Sequence, residues 1–319
     1  MRYRLFGRTG LRVSELFLGT MGFATDDARR LVDVYAAAGG NVIDTANSYG
    51  DSELVVGKAL EGRRDRFVLA TKYTCSTDTS DPNAAGNHRK NLVRSLDDSL
   101  RRLRTDHVDV YWVHVWDRHT PVEETMRALD DAVRAGKILY TGVSDTPAWI
   151  VSQANTLADW RGWTPFAGLQ VPYNLLNRDA ERDLLPMAEA FGLTTATWGP
   201  LAGGKLSAAA SGTRFAESDL SRSTFAVREV AAELGATPAQ VAIAWCRAKS
   251  RTVHPIIGAS TVEQLTDNLG AVDVVLPPEA VARLDSGTDF AVGFPSEFIA
   301  QCERHPEVFG EAYSRLDGR

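Results

Sequence analysis

Short apolar runs in this chain end repeatedly on a polar or aromatic side chain, and a helix-like stretch follows most of them. NVID ends on Asp44, FVLATK on Lys72, DVYWVH on His114, KILYTGVS on Ser144, FAGLQ on Gln170 and LTTATW on Trp198. SELFLGT opens the series and TVHPIIG closes it. The stretches between carry helical spacing, as in Leu31, Val34, Tyr35 and Ala38, or Leu92, Leu96, Ser99 and Leu103. Thr120, Pro121 and Glu123 read as N-cap, N1 and N3 of another helix. About eight strand–helix units in alternation predict a parallel sheet with helical crossovers. An open doubly wound sheet would place its ligand at one switch point and would carry a GxGxxG turn after its first strand. This chain lacks that turn and spreads its polar strand ends along most of its length. A closed (β/α)8 TIM barrel, whose strand C-termini all open onto one face, fits better.

RYRL and LRVS flank FGRTG and predict an N-terminal hairpin. The rest reads as one barrel domain over residues 1–319. Two segments exceed a minimal barrel. Residues 200–224, rich in Gly, Ala and Ser, read as a mobile functional loop. The tail from Ser286, with Phe290, Phe294, Pro295 and Phe298, is expected to extend over the barrel mouth, with cover of a helix face as the other arrangement.

The net charge of -6 argues against nucleic acid or an anionic membrane as partner. Cys75, Cys246 and Cys302 show no CxxC spacing, so neither a disulfide framework nor a zinc site is expected. The six histidines lack ligand spacing, and no metal site is predicted. The N-terminus has no apolar h-region and no run is long enough to span a bilayer. The expected setting is soluble, reducing and cytoplasmic.

Asp44, Tyr49, Lys72 and His114 carry the chemistry. Taken singly, Asp44 could cap a helix, Tyr49 could be a packed aromatic and His114 a core histidine. Lys72 at a barrel strand end would point inward and require an anionic partner, for which Asp44 is a candidate. Beside that ammonium the Tyr49 phenol would have its pKa lowered, giving a proton-donating site.

DTANSYGDSE, VLATK, the strand-end His114, LYTGVS, LQVPYNLL, WGPLAGG and IIGASTVEQLTDNLGA follow one another as they do in aldo-keto reductases. The likeness covers almost the whole chain. TANSYG, VHVWD, SDTPAW and DFAVGFPSEF resemble the aryl-alcohol dehydrogenase branch, and residues 258–271 also resemble the β-subunits of voltage-gated potassium channels. The resemblance implies NADPH-dependent reduction of aldehydes or ketones, with NADH as the other cofactor. Tyr49 would be the general acid, Lys72 held by Asp44 would tune it, and His114 would orient the carbonyl. Trp198 would stack on the nicotinamide, and Ser144, Asp145 and Gln170 would hold its carboxamide. Gly19, Thr20 and Met21 would border the cofactor. Gly199, Pro200, Leu201, Ala202, Gly203 and Lys205 would strap the pyrophosphate. Gly258, Ser260, Gln264 and Asn268, at a helix start that resembles a capping box from Thr261 to Gln264, would face the 2′-phosphate and adenine.

Two positions depart from many relatives. Asp145 stands where Asn is common, and it can accept but not donate unless protonated. Gly258 and Gln264 replace the usual Lys or Arg, and Arg214 is the candidate to supply that charge. Trp112, Trp116 and the Phe-rich tail suggest an apolar pocket for aromatic or bulky carbonyl substrates. Two other readings compete. One is a cofactor-sensing partner protein like the channel β-subunits. The other is a phosphate-binding lyase or isomerase using Lys72 as a Schiff base, disfavoured because Asp44 would raise the lysine pKa.

Overall fold

The computed structural model describes residues 1–23, 27–207 and 222–316. Strands β1 (Tyr3–Leu5) and β2 (Arg12–Ser14) form the antiparallel hairpin. Eight further strands close into a parallel barrel: β3 (Phe17–Gly19), β4 (Val42–Asp44), β5 (Val68–Tyr73), β6 (Val108–Val113), β7 (Ile138–Ser144), β8 (Phe166–Pro172), β9 (Thr194–Trp198) and β10 (Val253–Ile257). Six helices alternate with the first seven of these: α1 (Ala28–Ala37), α2 (Ser52–Ala59), α3 (Arg89–Leu103), α4 (Val122–Arg134), α5 (Ala148–Arg161) and α6 (Leu184–Phe191). Then come α7 (Arg222–Leu234) and α8 (Pro238–Lys249) before β10, and α9 (Val262–Leu269) and α10 (Pro278–Ser286) after it. The tail adds α11 (Ser296–Cys302) and α12 (Pro306–Phe309). Among the described residues no helix is long and apolar enough to cross a membrane, and no cluster suits a metal ion.

The strands read as continuous apolar runs because both their faces are covered. All residues of β5 and β6 are buried. Helix α3 buries the expected stripe of Leu92, Leu96, Ser99 and Leu103. Helix α4 starts one residue later than expected. Pro121 has extended ψ and stands at the N-cap, while the Thr120 hydroxyl donates to Asp117 Oδ2. Helix α7 occupies sequence that gave no clear helix signal. Of the loop expected over residues 200–224, positions 208–221 lie outside the described residues.

The barrel interior has its own small core. Val42, Val68, Ala70, Val110, Trp112, Ala196 and Ile256 pack with Phe6 and Phe17. Phe6, from the hairpin, meets Trp112 edge-on with ring centroids 6.1 Å apart. Near this contact the Gly7 N–H donates to Thr194 Oγ1 at 2.8 Å, which seats the hairpin at the N-terminal end of the barrel. Trp112 fits because two neighbours lack a Cβ. A methyl on Gly142 would sit 2.3 Å from the indole, and one on Gly168 would sit 2.8 Å from it. Trp112 is therefore barrel filling, 1% exposed, and does not wall the substrate pocket as the sequence suggested.

The tail anchors on the β8–α6 connection. Phe290 packs under the guanidinium groups of Arg178 and Arg182, at 4.7 and 4.9 Å, and Arg182 donates to the Ala291 carbonyl. Phe294 and Phe298 remain exposed. No described tail residue lines the large cleft; the contacts of Phe290 and Ala291 are with the β8–α6 connection, which follows the C-terminal end of a barrel strand. The cause is local: two arginines offer the ring a cationic face that apolar patterning does not reveal.

We expect Gly142→Ala to lower stability by about 1–3 kcal/mol through overpacking against Trp112. In a double-mutant cycle by urea unfolding, Trp112→Leu should offset part of that loss, whereas additive effects would place the clash elsewhere. A second prediction concerns His254, buried in β10, whose Nδ1–H donates to the Ser14 carbonyl. Desolvation by burial lowers its pKa to about 4, against the pull of the Ser14 bond. The unfolded chain, with histidine near 6.5, takes the proton first, so this contribution is complete above about pH 6.5 and is lost as pH falls toward 4. Unfolding free energy should decline over that window, and His254→Gln should flatten the decline.

Candidate active site

In-register pairing aligns Asp44 with Ala70, Lys72 with Trp112, Trp112 with Gly142 and Ser144 with Gln170. Side chains alternate along a strand, so these residues share the inward parity of the small interior core. The apolar members fill the lower layers, and the polar members at the strand ends meet above them. Lys72 and Asp44 are both buried and form an ion pair through Nζ and Oδ2. Lys72 also donates to the Thr45 carbonyl at 2.9 Å, and Gln170 Nε2 donates to Asp44 Oδ1 at 3.1 Å.

Tyr49 sits above this pair. Its loop is fixed to β5 by Thr45 N–H on the Ala70 carbonyl and Asn47 N–H on the Lys72 carbonyl. Ser52 joins Thr20 and Thr45 through hydroxyl contacts of 2.8 and 2.9 Å. Buried Glu53 then accepts from Thr71 Oγ1 and Arg102, locking α2 against β5 and α3. The Lys72 ammonium lies 4.9 Å from the Tyr49 ring centroid, and the His114 ring stands edge-on to Tyr49 at 5.8 Å.

The electrostatics correct one expectation. Burial raises the Tyr49 pKa, Lys72 pulls it back, and burial wins, so the phenol lies above its ordinary value. The nearby ammonium lessens the rise without reversing it. Burial, helped by the same Lys72 charge, lowers His114 to about 4, so its imidazole is neutral at pH 7. Burial likewise raises the Asp145 carboxyl, against a hydrogen bond of 3.3 Å from Trp198 Nε1.

A cleft of about 1190 Å³ opens above these groups. Tyr49, His114, Asp44, Gly19, Thr20 and Met21 line it, with Ser144, Asp145, Gln170 and the partly exposed Trp198. From there it extends along Gly199, Pro200, Leu201 and Gly203 to Gly258, Ser260, Gln264 and Asn268 at the start of α9. Lys72 lies beneath, covered. Ala202 and Lys205 belong to the same Gly-rich turn but are not in the lining, and Arg214 lies outside the described residues.

The start of α9 differs in detail from the expected capping box. Thr261 accepts from Gln264 N–H, but the Gln264 side chain turns back to Ser260 N–H, one residue earlier. Asn268 donates to the Gly258 carbonyl. Thr237 and Asp267 also line the cleft, a placement the sequence did not suggest. Thr237 caps α8 in a full capping box with Gln240, and both bond Asp267. The box was readable in principle from TPAQ; its pairing with Asp267 depends on how α8 packs on α9. Cys75, the other residue missed, places Sγ 3.6 Å from His114 Nδ1.

The lining suits a flat heteroaromatic ring carrying an amide at one end and a polyanion at the other. Trp198 presents an indole, Gln170 and Asp145 present amide-binding groups, and the Gly-rich turn and helix start present backbone N–H groups. Among the described residues the lining contains no Lys or Arg.

The model of the Aldo/keto reductase family matches residues 15–288. A putative aryl-alcohol dehydrogenase of Saccharomyces cerevisiae is 38% identical over 93% of this chain and 89% of its own length. A second, probable aryl-alcohol dehydrogenase of the same yeast is 40% identical over 86% and 91%. The norsolorinic acid reductase of Aspergillus flavus is 39% identical over 92% and 83%. Barrel, site and relatives agree: the chain belongs to the aldo/keto reductase family, near its aryl-alcohol dehydrogenase-like members, and is a carbonyl-reducing oxidoreductase that works with a nicotinamide cofactor.

Proposed function

We propose that the chain reduces aldehydes or ketones to alcohols with NADPH, and that Tyr49 is the proton donor. The observation that carries this reading is the meeting of Tyr49 and His114 at one end of the cleft, over the buried Lys72–Asp44 pair. The bound cofactor would supply the hydride. Tyr49 carries its proton at neutral pH as an ordinary phenol does, and burial raises it further. An alkoxide developing on the carbonyl oxygen is more basic than that phenol, so transfer is favourable where the charge forms. Lys72 stabilises the phenolate left behind. His114, uncharged, would donate a hydrogen bond that orients the carbonyl.

Ser144, Asp145 and Gln170 would hold the carboxamide and Trp198 the ring face; the turn from Gly199 and the start of α9 would take the phosphates. Asp145 would accept from the carboxamide NH2. NADPH is our reading of the polar helix start at Ser260. The absence of Lys and Arg from the described lining supports NADH as the second reading, because charge-assisted contacts are roughly twice as strong as neutral ones. Aromatic or bulky apolar substrates are our reading of Trp116, two residues beyond His114, which stands outside the cleft lining and meets the exposed Trp149 edge-on at 5.8 Å. The relatives' names, which refer to aryl alcohols and norsolorinic acid, point the same way. A reducing, cytoplasmic setting is our reading of three free cysteines.

Tyr49→Phe should lower kcat for an aromatic aldehyde by about 10²–10⁴-fold while NADPH still quenches tryptophan fluorescence. Retained turnover would remove Tyr49 from the acid role. Titrating NADPH and NADH side by side should show tighter NADPH binding; equal affinity would favour the second reading. Removing one charge of the buried pair, by Lys72→Met or Asp44→Asn, should cost about 3–5 kcal/mol in urea unfolding, with a smaller combined loss than the sum.

A further inference from the structure

The loop after β5 delivers a thiol to the imidazole of the site. Cys75 Sγ lies 3.6 Å from His114 Nδ1. The approach is built rather than incidental. Thr74, just before it, holds φ at 110°, a region that a β-branched residue seldom enters and that surrounding contacts must enforce. Buried Asn87 supplies them. Its Nδ2 donates to Thr74 Oγ1 at 2.8 Å and to the Val115 carbonyl at 3.1 Å, and its Oδ1 accepts from the Asp117 N–H at 2.7 Å. One amide thus ties the loop that carries Cys75 to the residue next to His114.

A neutral imidazole has one N–H and one lone pair, and the partner of one nitrogen decides the state of the other. Among the described residues Cys75 is the polar contact of the His114 ring. A thiol is a weak donor and a weak acceptor, so two arrangements compete. If S–H donates to Nδ1, the ring hydrogen sits on Nε2 and can serve a carbonyl oxygen. If Nδ1–H donates to sulfur, Nε2 presents a lone pair that repels that oxygen. Only the first serves the reduction described above.

We propose that Cys75 is a positioning residue: its S–H donates to His114 Nδ1 and keeps the hydrogen on Nε2, where it binds the substrate carbonyl. The proposal rests on the carbonyl-reduction reading. It is tested on the whole protein labelled with ¹⁵N-histidine. Long-range ¹H–¹⁵N correlation reads the ring tautomer, and His114→Gln assigns the His114 signals. The wild type should show the Nε2–H form, Cys75→Ala a mixture with Nδ1–H, and Cys75→Ser, which restores a donor, the wild-type form. With an aromatic aldehyde, Cys75→Ala should lose about fivefold in kcat, the worth of one ordinary hydrogen bond, with NADPH affinity unchanged and partial rescue in Cys75→Ser. An unchanged tautomer in Cys75→Ala, an Nδ1–H wild type, or an unchanged kcat overturns the proposal. If the wild type reduces no carbonyl, the activity reading falls, and the ring signals alone still decide whether Cys75 holds His114.

Discussion

The Lys72–Asp44 pair is the interaction on which the site depends. Neither charge would be tolerated alone where it lies, because burying an unpaired ion costs several kcal/mol. Together, and with Thr45 and Gln170 bonded to them, they join β4, β5 and β8 at the barrel mouth. Tyr49 rests over the ammonium, and its loop is fixed by hydroxyls that themselves bond β3 and β4. Tyr49 is therefore placed by backbone and buried charge, which move little.

The same ammonium acts on Tyr49 and His114 in one direction, disfavouring a bound proton on each. Burial, helped by that charge, keeps His114 neutral, and the charge eases the loss of the Tyr49 proton, which burial opposes. Both groups are uncharged at neutral pH, and in the proposed reaction each would present a donor to the carbonyl. Charge would then appear between them only as the carbonyl oxygen develops it, as electrostatic stabilisation of a transition state requires.

The barrel and the polar end of its strands were legible because a parallel barrel imposes period-two alternation. Asp44, Lys72, His114, Ser144, Gln170 and Trp198 each stop an apolar run, and position within the strand settles which way they face. Depth was not legible. Trp112 has the same parity as His114, yet one layer lower it becomes filler between Gly142 and Gly168. Nor was the sign of the Tyr49 shift, because it is a contest between a charge, which the sequence shows, and burial, which the fold decides. Thr237 with Asp267, and Cys75 with His114, are pairings of residues far apart in the chain. The tail's anchor was not legible for a related reason: aromatic spacing shows that Phe290 needs cover, but not that two arginines provide it.

The hairpin plug has a consequence for how the chain is made. Phe6 precedes every barrel strand in the chain, yet its resting place is formed by Trp112, Ala167 and Gly168. The strands that receive it are synthesised much later, and β10, which closes the ring against β3, later still. Closure of so long a loop gains no contact energy until both ends exist. During synthesis Phe6 therefore waits without its pocket. The finished barrel is sealed at its base by the hairpin that precedes it and at its seam by the last of its strands, so neither contact forms before most of the barrel has been synthesised.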